Sequence, residues 1–308
     1  MFFFSFFFLI ILVFLGVGFY VLLERSVLGY IQFRSGPSSV GILGIFQPFS
    51  DALKLFSSEF YFLYFGNFFI YYIVPVIGLV VSICFWLTYP LFFNFVSMNL
   101  GVFYLLCVSG LGVYFIMMAG WSSNSLYSMI GCLRSVAQSV SYEICFFLLI
   151  LGLVNFSGGL SFFDFFYIQF YVWLFFVSFP LFFVFFSCVL AETNRSPFDF
   201  AEGESELVSG FNLEYGSFMF SFIFLSEYMN MFFMSLFCVL LFFGGDFSSL
   251  MFFIKIIFFC FCFIWVRGTF PRYRYDKLMG LSWSVFLPFV LNNFLFFVFV
   301  CVVINFIN

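Results

Sequence analysis

Histidine is absent from the 308 residues, and charge is scarce: Asp, Glu, Lys and Arg together make up 8%. Without histidine there is no His-ligated haem, no His metal site and no His general base. A soluble domain carries about 25% charged residues, so this chain has too few to keep a water-facing surface in solution. Paired cysteines are also lacking. The nine Cys are scattered, mostly through apolar runs, with no CxxC among them, which argues against zinc or iron–sulfur ligation. Cys260 and Cys262 are two apart and point to different faces of a helix. All nine read as small buried hydrophobes. A basic n-region is missing at the N-terminus, as is a basic amphipathic transit segment. Residues 2–23 carry no charge, so the first helix is expected to be a retained membrane span.

What is present is apolar. Hydrophobic residues make up 65% of the chain, Phe alone accounts for 65 positions, and the mean hydropathy is +1.21. Phe in place of Leu keeps a segment apolar, and its excess is read as nucleotide bias in the encoding genome. Runs of about 20 apolar residues, enough to cross a bilayer, fall near 1–23, 67–90, 99–119, 131–153, 165–191, 217–243, 250–266 and 284–306. The runs are continuous rather than alternating, so helices are expected and not a barrel. The predicted fold is a single all-α membrane domain over 1–308, a bundle of about eight transmembrane helices.

Eight spans put both termini on one side and the loops 24–66, 120–130, 192–216 and 267–283 on the other. Nine of the ten basic residues fall in those loops or, as Arg134 does, just inside a helix at the same end; Lys255 is the exception. The positive-inside rule then assigns these loops to the cytoplasm or mitochondrial matrix. The polar sequence concentrates there too. No internal repeat is evident, which weakens a reading as a repeat-built transporter.

In the first of these loops, LLERSVLGYIQFRSGPSSVGILGIFQPFSDALKLFSSEF, four glycines and Pro37 forbid one continuous helix. After Pro48, Phe49, Leu53 and Phe56 recur at i, i+4 and i+7. That spacing suits a short amphipathic helix at the membrane interface, or a surface helix that merely caps the bundle. The third loop holds Glu192, Asp199, Glu202, Glu204, Glu206 and Glu214 against Arg195 alone. Clustered carboxylates repel, so some should titrate near neutrality, which is useful for proton transfer. A solvated acidic loop and a divalent-cation site are the alternatives, although calcium-loop spacing is lacking.

Within the spans, Glu143 and Glu227 stand out, because an ionised carboxylate at mid-bilayer costs about 2.5–3.5 kcal/mol on insertion scales. Arg134, Gln138 and Ser141 form a polar stripe at helical spacing. Glu143 lies half a turn off it and needs a partner on another helix, or a water path. An inter-helix hydrogen bond with no transport role is the alternative for both acids. The last loop, WVRGTFPRYRYDKLMGLSW, sets Arg267, Arg272, Arg274 and Lys277 among tyrosines. That suits an interfacial anchor, a phospholipid contact or a docked protein; nucleic acid is disfavoured because the patch is small and the chain acidic.

Five blocks in order, ERSVLGYIQFRSGPSSVG, QPFSDALKLF, GWSSNSLYSMIGCLRSVAQSVSYE, AETNRSPFDFAEGESELVSGFNLEY and RGTFPRYRYDKLM, are spread over residues 24 to 279. In them the chain resembles the chain 1 family of NADH:quinone oxidoreductase, respiratory complex I. The resemblance implies an eight-span subunit of the mitochondrial inner membrane with both termini on the intermembrane-space side. Its matrix loops would form the quinone-chamber face. It implies that Arg25, Arg34 and Arg274 help build the ubiquinone entrance and channel, with Phe49 and Phe224 facing the isoprenoid tail. It further implies an acidic path through Glu143, Glu192, Asp199, Glu202, Glu206 and Glu227, with Arg134 and Tyr142 beside it. Quinone reduction by NADH would be coupled through that path to proton translocation. NADH, FMN and iron–sulfur clusters would belong to partner subunits of the peripheral arm, and other partners to the membrane arm. The rival readings are the related membrane subunit of proton-reducing hydrogenase complexes, a proton or ion transporter using the intramembrane acids, and a purely structural membrane anchor.

Overall fold

The computed structural model describes residues 2–59, 66–89, 99–170, 172–201, 203, 210–247 and 249–307. The described residues are helices and connecting turns, without strands. The apolar runs leave backbone N–H and C=O groups no water to bond, so each run closes its hydrogen bonds within itself. The helices are α1 (Phe2–Ile31), α2 (Gln47–Ser57), α3 (Phe68–Trp86), α4 (Gly101–Ser123), α5 (Leu126–Ser157), α6 (Phe162–Gln169), α7 (Leu174–Val177), α8 (Phe179–Glu192), α9 (Ser217–Phe242), α10 (Leu250–Thr269), α11 (Tyr275–Gly280) and α12 (Leu287–Ile307). A 3-10 turn at Gly210–Asn212 precedes α9, and a π-helical stretch at Leu281–Phe286 joins α11 to α12. Among the described residues, seven helices are long and apolar enough to cross a membrane, with the stretch from α11 through α12 counting as one of them.

The run expected as one continuous span at 165–191 is not a single helix. Ser161 and Asp164 form a capping box that starts α6 early, and α6 ends at Gln169. A new start follows at Ser178, with Pro180 in the first turn of α8, where a missing N–H costs nothing. Helix α8 alone, 14 residues, rises about 21 Å at ~1.5 Å per residue, short of the ~30 Å hydrocarbon core. Two further boundaries moved. The loop expected at 120–130 is almost wholly helical, with α4 ending in a left-handed Asn124 (φ 52°) and α5 starting at Leu126. In the first loop the helix runs through Gly29 and breaks only at Phe33 (φ 55°), where the Arg34 N–H bonds the Gly29 carbonyl at 2.9 Å.

Helix α9 is the most buried of the long helices. It packs against α1, α2, α3 and α10, while α5 packs against α4, α8 and α12. Phenylalanine fills the interior: Phe146 stacks on Phe185 at 5.6 Å, and Phe182 meets Phe242 edge-on at 5.3 Å. The outer faces remain apolar and exposed, as at Phe8 on α1, Phe258 on α10 and Phe299 on α12, as helices in lipid require. The reading of all nine Cys as buried needs correction. Cys132, Cys145, Cys188, Cys238 and Cys260 are buried, but Cys107 is exposed and Cys84, Cys262 and Cys301 are half-buried; all nine are free thiols. A helix in lipid has an apolar exposed face as well as an apolar buried one, so hydrophobicity does not tell the two apart.

Contacts at the helix ends define two poles. At one, the Val102 N–H bonds the Leu160 carbonyl at 3.2 Å, and the Cys301 thiol reaches the Asn155 carbonyl at 3.2 Å. There Gln169 clamps the end of α9: its side-chain N–H groups donate to the carbonyls of Leu240 and Leu241, and its oxygen accepts from Gly244. Lys255 donates to the Phe243 carbonyl at 2.6 Å and sits over the Trp173 ring. At the other pole, the Asn67 N–H bonds the Ser122 carbonyl, Arg267 pairs with Glu24, and the Tyr273 N–H bonds the Pro197 carbonyl at 3.0 Å. The amino-terminal end of α1 and the carboxy-terminal end of α12 therefore lie towards the same pole.

Candidate functional site

Two cavities flank α9 near the pole that carries Glu24. The larger, about 510 Å³, lies between α1, α2 and α9; Val17, Val21, Arg25, Asp51, Phe220 and Phe224 are among its walls. The first wall exists because α1 is apolar down to its last two turns, where Glu24 and Arg25 appear. The second is α2, whose Pro48 sits in the first turn and whose polar and apolar residues segregate at helical spacing. Arg25 forms an ion pair with Asp51, and Gln47 donates to the same carboxylate at 2.8 Å.

The smaller cavity, about 60 Å³, lies within the bundle, walled by α3, α4, α5, α9 and the residues that follow α8. Its polar lining includes Ser139, Glu192, Asn194, Ser226, Glu227 and Asn230. Buried Glu192 Oε2, Asn194 Oδ1 and Asn230 Oδ1 have no hydrogen-bond partner. A polar cavity of about 60 Å³ exceeds the ~10–15 Å³ that one water needs, and water is the natural partner for such acceptors. Glu143, half-buried on α5, brings its Oε1 close to Gly110 of α4.

Between the two cavities runs a chain of polar contacts. Arg267 of α10 pairs with Glu24 of α1. Glu24 accepts a 2.6 Å hydrogen bond from the Tyr228 hydroxyl. Arg195 sits over the Tyr228 ring, 4.6 Å from its centroid, and pairs with Glu227 at 3.5 Å. Glu24 and Arg195 are both buried, so each charge depends on its partners. Phe224, in the wall of the larger cavity, packs on Tyr228 at 4.5 Å, and Glu227 lines the smaller one, so the polar cluster lies between the two.

The expected site residues divide accordingly. Arg25 and Phe224 line the larger cavity. Phe49 lies apart from that lining, edge-on to Phe19 at 6.5 Å. Arg34 is exposed and donates to Gln32, and Arg274 is exposed and pairs with Asp276 at 2.9 Å. Glu192 and Glu227 line the smaller cavity; Glu143 is outside its lining, four residues along α5 from Ser139, which lines it. Asp199 pairs with Arg272 at 3.5 Å, tying the third loop to the last. Arg134 is half-buried on α5. Tyr142 is fully buried; its hydroxyl reaches the Leu278 carbonyl at 3.4 Å and its ring meets Phe198. Glu202 and Glu206 lie outside the described residues.

Sequence reasoning gave Glu24, Arg195, Tyr228, Arg267, Asp51 and Gln138 no place in the quinone channel or the acidic path. Gln138 anchors the third loop, its side-chain amide donating to the carbonyls of Ala191 at 2.9 Å and Phe198 at 2.8 Å. Two of these had a signal. Glu24 is the first charge after a long apolar run, and Arg195 is the lone base among six acids.

A helical bundle whose outer faces suit lipid, and whose sunken acids face interior cavities and buried arginine, is a multi-span membrane protein of the kind that handles charge within the bilayer. The chain belongs to the NADH dehydrogenase family, whose model matches residues 4–298. It is similar to NADH-ubiquinone oxidoreductase chain 1 of Anopheles gambiae, 53% identical over 94% of this chain and 92% of the relative. The chain of the same name from Heterololigo bleekeri is 44% identical over 94% of each. That from Arabidopsis thaliana is 44% identical over 89% of each.

Proposed function

We propose that this chain is the core membrane subunit of respiratory complex I that helps form the ubiquinone channel and couples quinone reduction by NADH to proton translocation. It is a multi-pass protein of the mitochondrial inner membrane and part of an oxidoreductase, with other complex I subunits as partners. The observation that carries the reading is the pair of cavities: a large apolar one with an arginine in its wall, and a small acid-lined one, with the ion pairs of buried Glu24 and Arg195 between them.

In this reading Arg25 and Phe224 belong to the tail-binding channel, with Phe49, Arg34 and Arg274 towards its entrance. Glu143, Glu192 and Glu227 carry the acidic path inward, with Tyr142 and Arg134 beside it. Asp199, Glu202 and Glu206 stand at its start. The chain is one membrane domain whose 24–66, 120–130, 192–216 and 267–283 segments face the matrix and build the quinone chamber with the peripheral arm, the seat of FMN and the iron–sulfur clusters. Phospholipid covers the outer faces. Both termini lie on the intermembrane-space side.

A photoreactive long-tailed quinone added to the intact complex tests the channel. Labelling is expected on α1, α2 and α9; labelling elsewhere only would overturn the assignment. A carboxy-terminal tag cleaved by protease in mitoplasts, and spared from the matrix side, is the expected orientation result. Gentle extraction should show the chain co-migrating with the peripheral arm.

A further inference from the structure

Helix α2 is attached to the bundle unusually lightly. None of its residues is buried, and behind it lies the larger cavity rather than a packed core. Its polar hold on α1 is centred on Asp51, which takes the Arg25 guanidinium from α1 and the Gln47 amide from the preceding turn of α2. Phe49, edge-on to Phe19, and Pro48, close to Gly18, add apolar contact to this seam, and α2 packs on α9 as well. Arg25 and Asp51 both stand in the cavity wall, so the pair closes the polar edge of that space.

We infer that Asp51 is a positioning residue for the quinone reaction. It holds α2 against α1 as the removable wall of the tail cavity, and so sets affinity for long-tailed quinones without touching the redox step. This inference rests on the quinone reading of that cavity. A wall that drifts outward loses contact with the isoprenoid tail but not with the head group. Asp51→Ala, which removes the acceptor for both Arg25 and Gln47, is therefore expected to raise KM for a long-tailed quinone about fivefold, the scale of a partly exposed ion pair. KM for a tail-less analogue and kcat for both substrates should stay as they are.

A cross-link supplies the rescue. A Cβ built on Gly18 lies 3.6 Å from Pro48 Cβ, within the ~3.5–4.5 Å span of a disulfide. In the assembled complex, oxidised Gly18→Cys/Pro48→Cys on the Asp51→Ala background should restore the long-tail KM, and reduction should abolish the rescue. An unchanged long-tail KM in Asp51→Ala, an equal change for the tail-less analogue, or no rescue on oxidation would each overturn the clamp. Should Asp51→Ala not assemble, the cross-link in the otherwise unaltered chain decides: long-tail KM stays level or falls if α2 works in this position, and a rise rejects the idea. Photolabelling separates the layers. Label on α1, α2 and α9 with an unmoved KM rejects only the clamp, whereas no label there rejects the quinone reading and the clamp with it.

Discussion

The Tyr228 hydroxyl donates a 2.6 Å hydrogen bond to Glu24 Oε2, joining α9 to α1 across 204 positions of sequence. The phenol holds a buried carboxylate that also faces Arg267, while its ring lies under Arg195. One aromatic side chain thus touches both ion pairs of the wall between the cavities.

Tyr228→Phe removes that hydroxyl and leaves the ring in place under Arg195. A hydrogen bond to a charged group contributes about 1.5–3 kcal/mol, and the expected loss of stability is of that order. Thermal inactivation of the assembled complex measures it. A variant as heat-resistant as the parent would mean that the bond to Glu24 is not made in the membrane.

Glu192→Gln and Glu143→Gln keep the side-chain shape and delete the charge. If the small cavity lies on the proton route, each variant should translocate fewer protons per electron pair while still reducing quinone. Proton uptake measured alongside NADH oxidation in sealed vesicles reads this ratio. Normal stoichiometry in both variants removes these acids from the coupling path.

Gln138→Leu strips the donors from the carbonyls of Ala191 and Phe198. Each carbonyl keeps one backbone N–H, from Asn194 or Phe200, so the loss is about 0.5–1.5 kcal/mol per hydrogen bond. The third loop should loosen on α5, seen as faster amide hydrogen exchange over residues 191–199. Exchange at the parental rate would show that the loop is held by other contacts, such as Arg272 with Asp199.

Gly78 and Gly112 both line the smaller cavity but answer differently to an added methyl. At Gly78 a Cβ would stand 2.5 Å from the Phe115 ring, whereas at Gly112 nothing lies within 4 Å. Gly78→Ala should destabilise by about 1–3 kcal/mol through overpacking of α3 on α4. Gly112→Ala should be neutral or stabilising by up to ~1 kcal/mol, because alanine is the better helix former. Equal melting temperatures for the two would contradict this packing.

The spans were legible because each apolar run can satisfy its backbone only within itself. The break between α7 and α8 at Ser178 was not, because apolar residues flank it on both sides and only Pro180, in the first turn of α8, marks the restart. The acids were legible as costly charges in apolar surroundings: Glu227 was singled out because it lies in a span, and Glu192 because of its acidic neighbours. Their partners were not. Nothing local connects Glu227 to Arg195, or Glu24 to Tyr228 and Arg267, since each pair meets only after helices distant in sequence have docked.

Sequence alone determined that this chain lives in a bilayer, roughly where it crosses, which end holds its charge and which family it resembles. Those properties come from solvation and from motifs, which are read one segment at a time. Only the tertiary structure decided which carboxylates face a cavity, which arginines pair with Glu24 and Glu227, and that α2 walls the larger space. A buried charge is stabilised by groups within a few ångströms, and helix packing, not sequence order, chooses those neighbours.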